Sequence, residues 1–110
     1  MFVDKLLSLM ILYNITFNVE RDIEREWLNW MNEHYFKYVL DTDLFFEVKL
    51  FRLLTETEND GVTYSVQFFT DTLEKANIYL ENYAKRIVEE HNETFKYKHV
   101  SFMTLLESVD

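Results

Sequence analysis

The feature that most constrains this 110-residue chain is its single glycine, Gly61, in a sequence without proline. Gly61 follows Asn59 and Asp60 and separates two runs rich in aromatic and β-branched residues, 45–55 and 62–70. An Asp-Gly pair tolerates the positive φ angles that tight hairpin turns require. We therefore predict a β-hairpin whose turn lies at this glycine.

Helical and strand-like patterns flank the predicted hairpin. Residues 10–19 alternate between apolar and polar side chains, which predicts a first strand. Apolar spacings of three and four residues predict a helix from Asp22 to about residue 40 and a second from a capping box at Asp71 and Glu74 to about residue 93. Residues 95–106 are predicted to form the last strand.

The resulting order, βαββαβ, predicts an α+β fold of the ferredoxin-like type. Two right-handed crossovers joined by a hairpin give a four-stranded antiparallel sheet with both helices on one face. We expect a single domain over residues 10–110, opened by Met10, with residues 1–9 as a loosely held N-terminal extension. The apolar stretch at this end carries Asp4, lacks a basic start and a small-residue cleavage site, and is far shorter than the ~20 residues that span a bilayer, so we expect no signal peptide or anchor.

The second face of such a sheet has no helices to cover it. It mixes uncharged polar groups with large apolar ones, which is a poor surface to leave in water. The polar members are Asn14, Thr16, Ser65 and Gln67; the apolar members are Leu12, Phe51 and Phe69; Glu47 and Lys49 lie beside them. We predict that two copies bury this open face against each other, which makes a homodimer with the architecture of a dimeric α/β barrel.

Composition excludes several kinds of partner. The formal net charge is −9 and no basic cluster is present, so we expect no nucleic-acid binding. The third strand also lacks the basic-Gly-aromatic motif of RNA-recognition domains, because Asp60 precedes Gly61. Cysteine is absent, and His91 and His99 stand at no diagnostic metal spacing, so we expect no metal, no cofactor and a cytoplasmic location.

His34 is the candidate catalytic residue. It falls on the predicted apolar stripe of the first helix, one turn from Trp30 and two from Trp27, where a histidine could act as acid or base in an aromatic pocket. The alternative interpretation is a hydrogen-bonded histidine at the edge of the core.

The remaining candidates are ligand-binding residues. Trp27, Trp30, Tyr13 and Tyr64 could line a cavity between helix and sheet, or could simply pack in the core. Asn14 and Gln67, with Thr16 and Ser65, could orient a polar ligand, or could hydrogen-bond one another in a dimer core.

Three segments resemble a family of short bacterial proteins described as a domain of unknown function. They are YNITFNV at 13–19, WLNWMNEH at 27–34 and TYSVQF at 63–68, and the likeness covers roughly residues 10–109. That family often has a proline soon after the histidine and a glycine before the second strand. This chain has Tyr35-Phe36 and Asp43 there.

More distantly, the chain resembles the dimeric α/β-barrel superfamily, which includes cofactor-free monooxygenases and heme-handling proteins. The resemblance implies a dimer with a pocket between helices and sheet. Three functions stay open: a homodimer that binds a small, partly apolar molecule near His34, Trp30 and Tyr64; a cofactor-independent monooxygenase-like or isomerase-like enzyme; and a non-catalytic interaction module without a pocket.

Overall fold

Four strands form one antiparallel sheet in the computed structural model, which describes residues 10–55 and 59–109. They are β1 (Ile11–Val19), β2 (Glu47–Arg52), β3 (Val62–Thr70) and β4 (His99–Glu107), in the order β2-β3-β1-β4. The central β1 pairs with both β3 and β4. The α+β, ferredoxin-like prediction is therefore confirmed, while the predicted extension 1–9 lies outside the described residues.

The helical segments connect β1 to β2 and β3 to β4. The first connection begins with a short 3₁₀ turn (Arg21–Ile23) and continues with α1 (Glu24–Trp30), a π-helical turn (Met31–Tyr35) and α2 (Phe36–Asp41). The second connection contains α3 (Leu73–Asn82) and α4 (Ala84–Thr94). Because Met31 and Phe36 have right-handed helical angles, α1, the π turn and α2 form one continuous helix.

The core lies between these helices and one face of the sheet. Alternate side chains of β1 and β3 are buried, including the directly paired Tyr13 and Phe68, and the intervening ones are half-buried. The helices add Trp27, Tyr35 and Tyr79, all almost fully buried. Burying one large apolar side chain contributes roughly 1.5–3 kcal/mol, so this aromatic layer supplies much of the stability.

The π-helical turn changes which face of the first helix is buried. Trp27, Met31, Tyr35 and Val39 are buried at steps of four residues, whereas His34 is exposed. An α-helical repeat of 3.6 residues would have placed His34 on the stripe below Trp27. The π turn contains one extra residue, which rotates the following side chains away from that register. The predicted burial of His34 is therefore wrong.

Gly61 allows the side chain of Asn18 to approach the backbone closely, and its φ angle is not positive. No glycine in the described part of the chain has a positive φ, and nine residues separate β2 from β3, so the predicted turn geometry is wrong. A Cβ atom at Gly61 would lie 2.4 Å from Oδ1 of Asn18. The amide of Gly61 donates a local 2.8 Å hydrogen bond to Oδ1 of Asn59.

Two element ends also differ from the prediction. The cap of α3 is Thr72, whose Oγ1 accepts a hydrogen bond from the Lys75 amide at 3.2 Å, and not Asp71. β4 begins at His99 rather than near residue 95, because α4 continues to Thr94 and Tyr97 has a left-handed φ of 64°. Asp43, at the position where the resembled family often has glycine, also has a left-handed φ of 60°.

Candidate functional site

A cavity of about 210 Å³ lies between α4 and the half of the sheet that β1 and β4 form. Tyr13, Ile15 and Phe17 of β1 supply its floor, and all three are buried. His91 of α4 contributes to the wall. Ser101 and Met103 of β4 also line the cavity but are exposed, so the cavity opens to solvent beside this edge strand.

His91 is held in one neutral form by two hydrogen bonds. Trp27 Nε1 donates a 2.8 Å hydrogen bond to His91 Nε2, so this nitrogen is an acceptor and the proton lies on Nδ1. Nδ1 in turn lies 3.2 Å from Oδ1 of Asn92. Burial lowers the pKa of His91 to about 4, which leaves the ring uncharged at neutral pH.

Aromatic rings enclose this imidazole. The ring centroids of Phe17, Phe95 and Trp30 lie 4.9, 5.4 and 5.7 Å from that of His91, and His99 crosses it at 4.5 Å and 80°. Burial also lowers the pKa of His99. His91 is therefore an uncharged part of the cavity wall at neutral pH, and His99 packs against it outside the lining.

Two tyrosines line the same cavity. Tyr13 comes from β1 and Tyr35 from the π turn, and a third buried tyrosine, Tyr79 of α3, packs on Tyr13 with ring centroids 5.7 Å apart. Burial raises the pKa of Tyr13 to about 12. Burial, followed by the proximity of Tyr13 and Tyr79, raises the pKa of Tyr35 well above its usual value. All three stay protonated.

None of the six ligand-binding residues predicted from the sequence lines this cavity. Trp27 and Trp30 pack against His91, which does line the cavity. His34 lies on the exposed side of the helix, where its ring is 5.5 Å from Trp30. Its role as a ligand-binding or catalytic residue stays a prediction. Tyr13, which the sequence analysis grouped with Trp27, Trp30 and Tyr64, does line the cavity.

Tyr64 belongs to a different polar cluster at the end of the sheet. Its hydroxyl donates a hydrogen bond to Oε2 of Glu24, and the Arg52 guanidinium lies 5.8 Å from its ring centroid. Burial and the bond to Glu24 raise the pKa of Tyr64. The Tyr64 ring packs on Trp27 at 5.0 Å, so this cluster and the His91 wall share that indole as a neighbour.

Asn14 and Gln67 lie on the opposite side of the sheet, on the open face. Ser65 Oγ donates to Oδ1 of Asn14 at 2.6 Å, Gln67 Nε2 donates to Ser65 Oγ at 3.3 Å, and Asn14 Nδ2 donates to Thr16 Oγ1 at 3.3 Å. The four predicted polar residues thus hydrogen-bond one another within one chain. The sheet separates them from the cavity.

Sequence reasoning missed His91 as a site residue although its position was informative. His91 falls at the end of the apolar stripe predicted for the second helix, which favours a buried histidine that faces the sheet. Across residues 10–55 and 59–109, no group of three or more histidine, aspartate and glutamate side chains could hold a metal ion. In the same ranges no helix is long and apolar enough to cross a membrane.

Solved structures with the same fold cover almost the whole chain. A dimeric ferredoxin-like protein from an uncultured marine organism has 8% identity and a TM-score of 0.66, over 94% of this chain and 98% of its own. A protein of unknown function from Bacteroides thetaiotaomicron, described as a possible oxidoreductase, has 12% identity and a TM-score of 0.63, over 90% and 97%. A dimeric ferredoxin-like protein from Thermobifida fusca has 12% identity and a TM-score of 0.52, over 88% and 92%.

At these identities the likeness shows the fold. No curated protein matches the chain. One protein family, described as a domain of unknown function (DUF4286), matches residues 10–109, which is nearly the whole length. The chain therefore belongs to the DUF4286 family.

Proposed function

We propose that this protein is a homodimer that binds a small, partly apolar molecule in the cavity beside His91. The observation that carries the proposal is the cavity itself: about 210 Å³, with a buried aromatic and aliphatic floor and a few polar groups at its edge. Ligand sites have this composition, mainly apolar with a small number of polar groups that fix orientation. The volume is below the roughly 300 Å³ at which drug-sized pockets begin, so the ligand is small.

Binding is favoured over catalysis by the state of His91. A cofactor-independent oxygenase or isomerase needs a base that takes a proton near neutral pH. His91 is the histidine on this wall, and its Nε2 already accepts a hydrogen bond from Trp27. With a pKa of about 4 it is a weak base. The third alternative, an interaction module without a pocket, is disfavoured because a cavity is present.

The open face of the sheet supports the proposed dimer. Val100, Phe102 and Leu106 of β4 lie on this face and are largely exposed in one protomer, next to the half-buried polar network around Asn14. Between its ends, at His99 and Glu107, β4 carries no charge. The part of the open face that β4 forms is therefore uncharged between its ends, which favours the approach of two copies of a chain with a net charge of −9 along this strand. Two proteins of this fold are themselves described as dimeric.

The cavity proposal is tested by filling the cavity from its exposed edge. Acetophenone, a neutral single-ring ketone, serves as probe in an NMR titration of the ¹⁵N-labelled protein. We expect saturable shifts at Ile15, His91 and Met103 in the wild type and none in Met103→Trp, whose indole occupies the cavity. Ile78→Trp, at an exposed position on α3, is the matched control and retains the shifts.

If neither acetophenone nor any of the other single-ring probes used below shifts the cavity residues of the wild type, the binding proposal is overturned. Equal shifts in wild type and Met103→Trp would place the probe elsewhere and remove it as well. Conversion of the probe into a new species during the titration would instead favour the enzyme alternative.

A further inference from the structure

Two tyrosines that line the cavity have hydroxyl groups without a hydrogen-bond partner among the described residues. Tyr13 is 3% exposed and Tyr35 is 1% exposed, and both rings line the cavity. Among the described residues neither hydroxyl makes a hydrogen bond, whereas the hydroxyl of the less buried Tyr38 donates to the carbonyl of Tyr83 at 2.8 Å. The fully buried unpartnered oxygens of the described residues are those of Thr70 and Tyr79, so the hydroxyls of Tyr13 and Tyr35 are still open to water. A molecule that displaces this water must itself accept the hydrogen bonds that the two hydroxyls donate.

The tyrosines can offer only neutral hydrogen bonds. Burial raises the pKa of both hydroxyls, so each keeps its proton far above neutral pH. The third buried tyrosine, Tyr79, has an unpartnered hydroxyl as well and lies against Tyr13. The hydroxyls of Tyr13 and Tyr35 can therefore donate to an acceptor oxygen in the cavity.

Among the residues that the structure describes, the cavity holds no charge that could balance a charged ligand. No aspartate, glutamate, lysine or arginine of this part of the chain lines it, and His91 is fixed in its neutral form by Trp27 and Asn92. Moving a carboxylate or an ammonium group from water to such a wall is unfavourable unless an opposite charge compensates. The cavity consequently disfavours both anions and cations.

We propose that the cavity selects an uncharged, single-ring molecule with a carbonyl oxygen that accepts hydrogen bonds from Tyr13 and Tyr35. This inference rests on the proposed function, because it requires that the cavity is a binding site. The size agrees with one ring and a short substituent: a cavity of roughly 150 Å³ in another protein binds benzene, and this one measures about 210 Å³.

Four probes of similar size test this selectivity by NMR titration at pH 7. Acetophenone carries the carbonyl, ethylbenzene lacks it, benzoate is an anion and benzylammonium is a cation. We expect acetophenone to bind about tenfold more tightly than ethylbenzene, since a net hydrogen bond contributes about 1 kcal/mol and two donors are available. Neither charged probe is expected to give saturable shifts at the cavity residues.

Matched variants assign the selectivity to the two hydroxyls. Tyr13→Phe with Tyr35→Phe keeps both rings and removes both donors, so acetophenone should lose its tenfold advantage while ethylbenzene binds as before. Tyr97→Phe, at an exposed tyrosine, is the control and should change neither affinity. The four-probe comparison in the wild type stands even if the double variant fails to fold.

The outcomes separate this inference from the proposed function. Equal affinity for acetophenone and ethylbenzene, or saturable binding of benzoate or benzylammonium, overturns the selectivity and leaves the cavity as a binding site. Absence of cavity shifts with all four probes overturns both.

Discussion

The indole of Trp27 donates a 2.8 Å hydrogen bond from Nε1 to Nε2 of His91, 64 residues further along the chain. The bond joins α1 to α4 inside the core. It also assigns the tautomer of His91, because an accepting Nε2 requires the proton on Nδ1. A protonated His91 could not accept this bond, so the contact couples the packing of the two helices to pH.

The first prediction concerns this pH dependence. The pKa of His91 is about 4 in the folded protein and about 6.5 when unfolded, so the unfolded state takes up a proton first as the pH falls. The stability that neutral His91 contributes is therefore complete above pH 6.5 and is lost towards pH 4. We expect this one group to reduce the free energy of unfolding by about 3 kcal/mol between pH 7 and pH 4.

Chemical denaturation of wild type and His91→Gln at both pH values measures the effect. Glutamine retains an acceptor for Trp27 but does not titrate, so the pH-dependent loss should be smaller in the variant by about that amount. His99→Gln is the control, because His99 has a lowered pKa but makes no hydrogen bond to Trp27. If wild type and His91→Gln lose stability equally, the assignment to His91 is incorrect.

The second prediction separates two reasons for a glycine at position 61. Gly61→Ala places a Cβ atom 2.4 Å from Oδ1 of Asn18, whose Nδ2 donates a 2.9 Å hydrogen bond to Thr63. Asn18 must turn away and break that bond, which should cost about 1 kcal/mol in thermal or urea unfolding. With Asn18→Ala as background, Gly61→Ala should cost much less. An unchanged cost in that background would point to the backbone of Gly61 itself.

The third prediction concerns the start of α3. Thr72→Ala removes the oxygen that accepts a hydrogen bond from the Lys75 amide, and loss of an N-cap typically costs about 1 kcal/mol. Asp71→Ala removes only an exposed ion pair with Lys75, at 3.0 Å, and should cost less. Urea denaturation of both variants ranks them. If Asp71→Ala loses more stability than Thr72→Ala, the N-cap of α3 is Asp71 and not Thr72.

The fourth prediction concerns the open face. Phe102 is 64% exposed in one protomer and lies opposite Thr16 of β1. Phe102→Glu places a charge in the proposed interface, so we expect the mass measured by light scattering after size-exclusion chromatography to fall from dimer to monomer. Leu73→Glu, at an exposed apolar position on the helical side, should leave the dimer unchanged. A dimer that survives Phe102→Glu lies on another surface.

The fifth prediction concerns His34. Its side chain is exposed and does not line the cavity, so His34→Ala should leave the affinity for acetophenone unchanged in the NMR titration. A loss of affinity would return His34 to the binding site that the helical periodicity first suggested for it.

The fold was predictable because strand and helix patterns are local. The alternation in β1 and β3 placed Tyr13 and Tyr64 on the buried face and Asn14 and Gln67 on the other, as the structure confirms. The assignment of His34 failed because a regular 3.6-residue repeat contains no sign of a π turn. The cavity could not be predicted, because its wall joins Tyr13 to His91 and Met103, whose proximity depends on strand order and helix placement.

The π turn at Met31–Tyr35 also bears on how relatives of this chain compare with it. A π turn accommodates one residue more than the α-helical turn it replaces, so the surplus residue can be lost without moving the helix ends. Asn32 and Glu33, both exposed, are the positions where such a deletion would remove no core side chain. A relative with a regular α-helix here would therefore be one residue shorter, and a correct alignment would need a one-residue gap to keep Trp27 and Val39 opposite their equivalents.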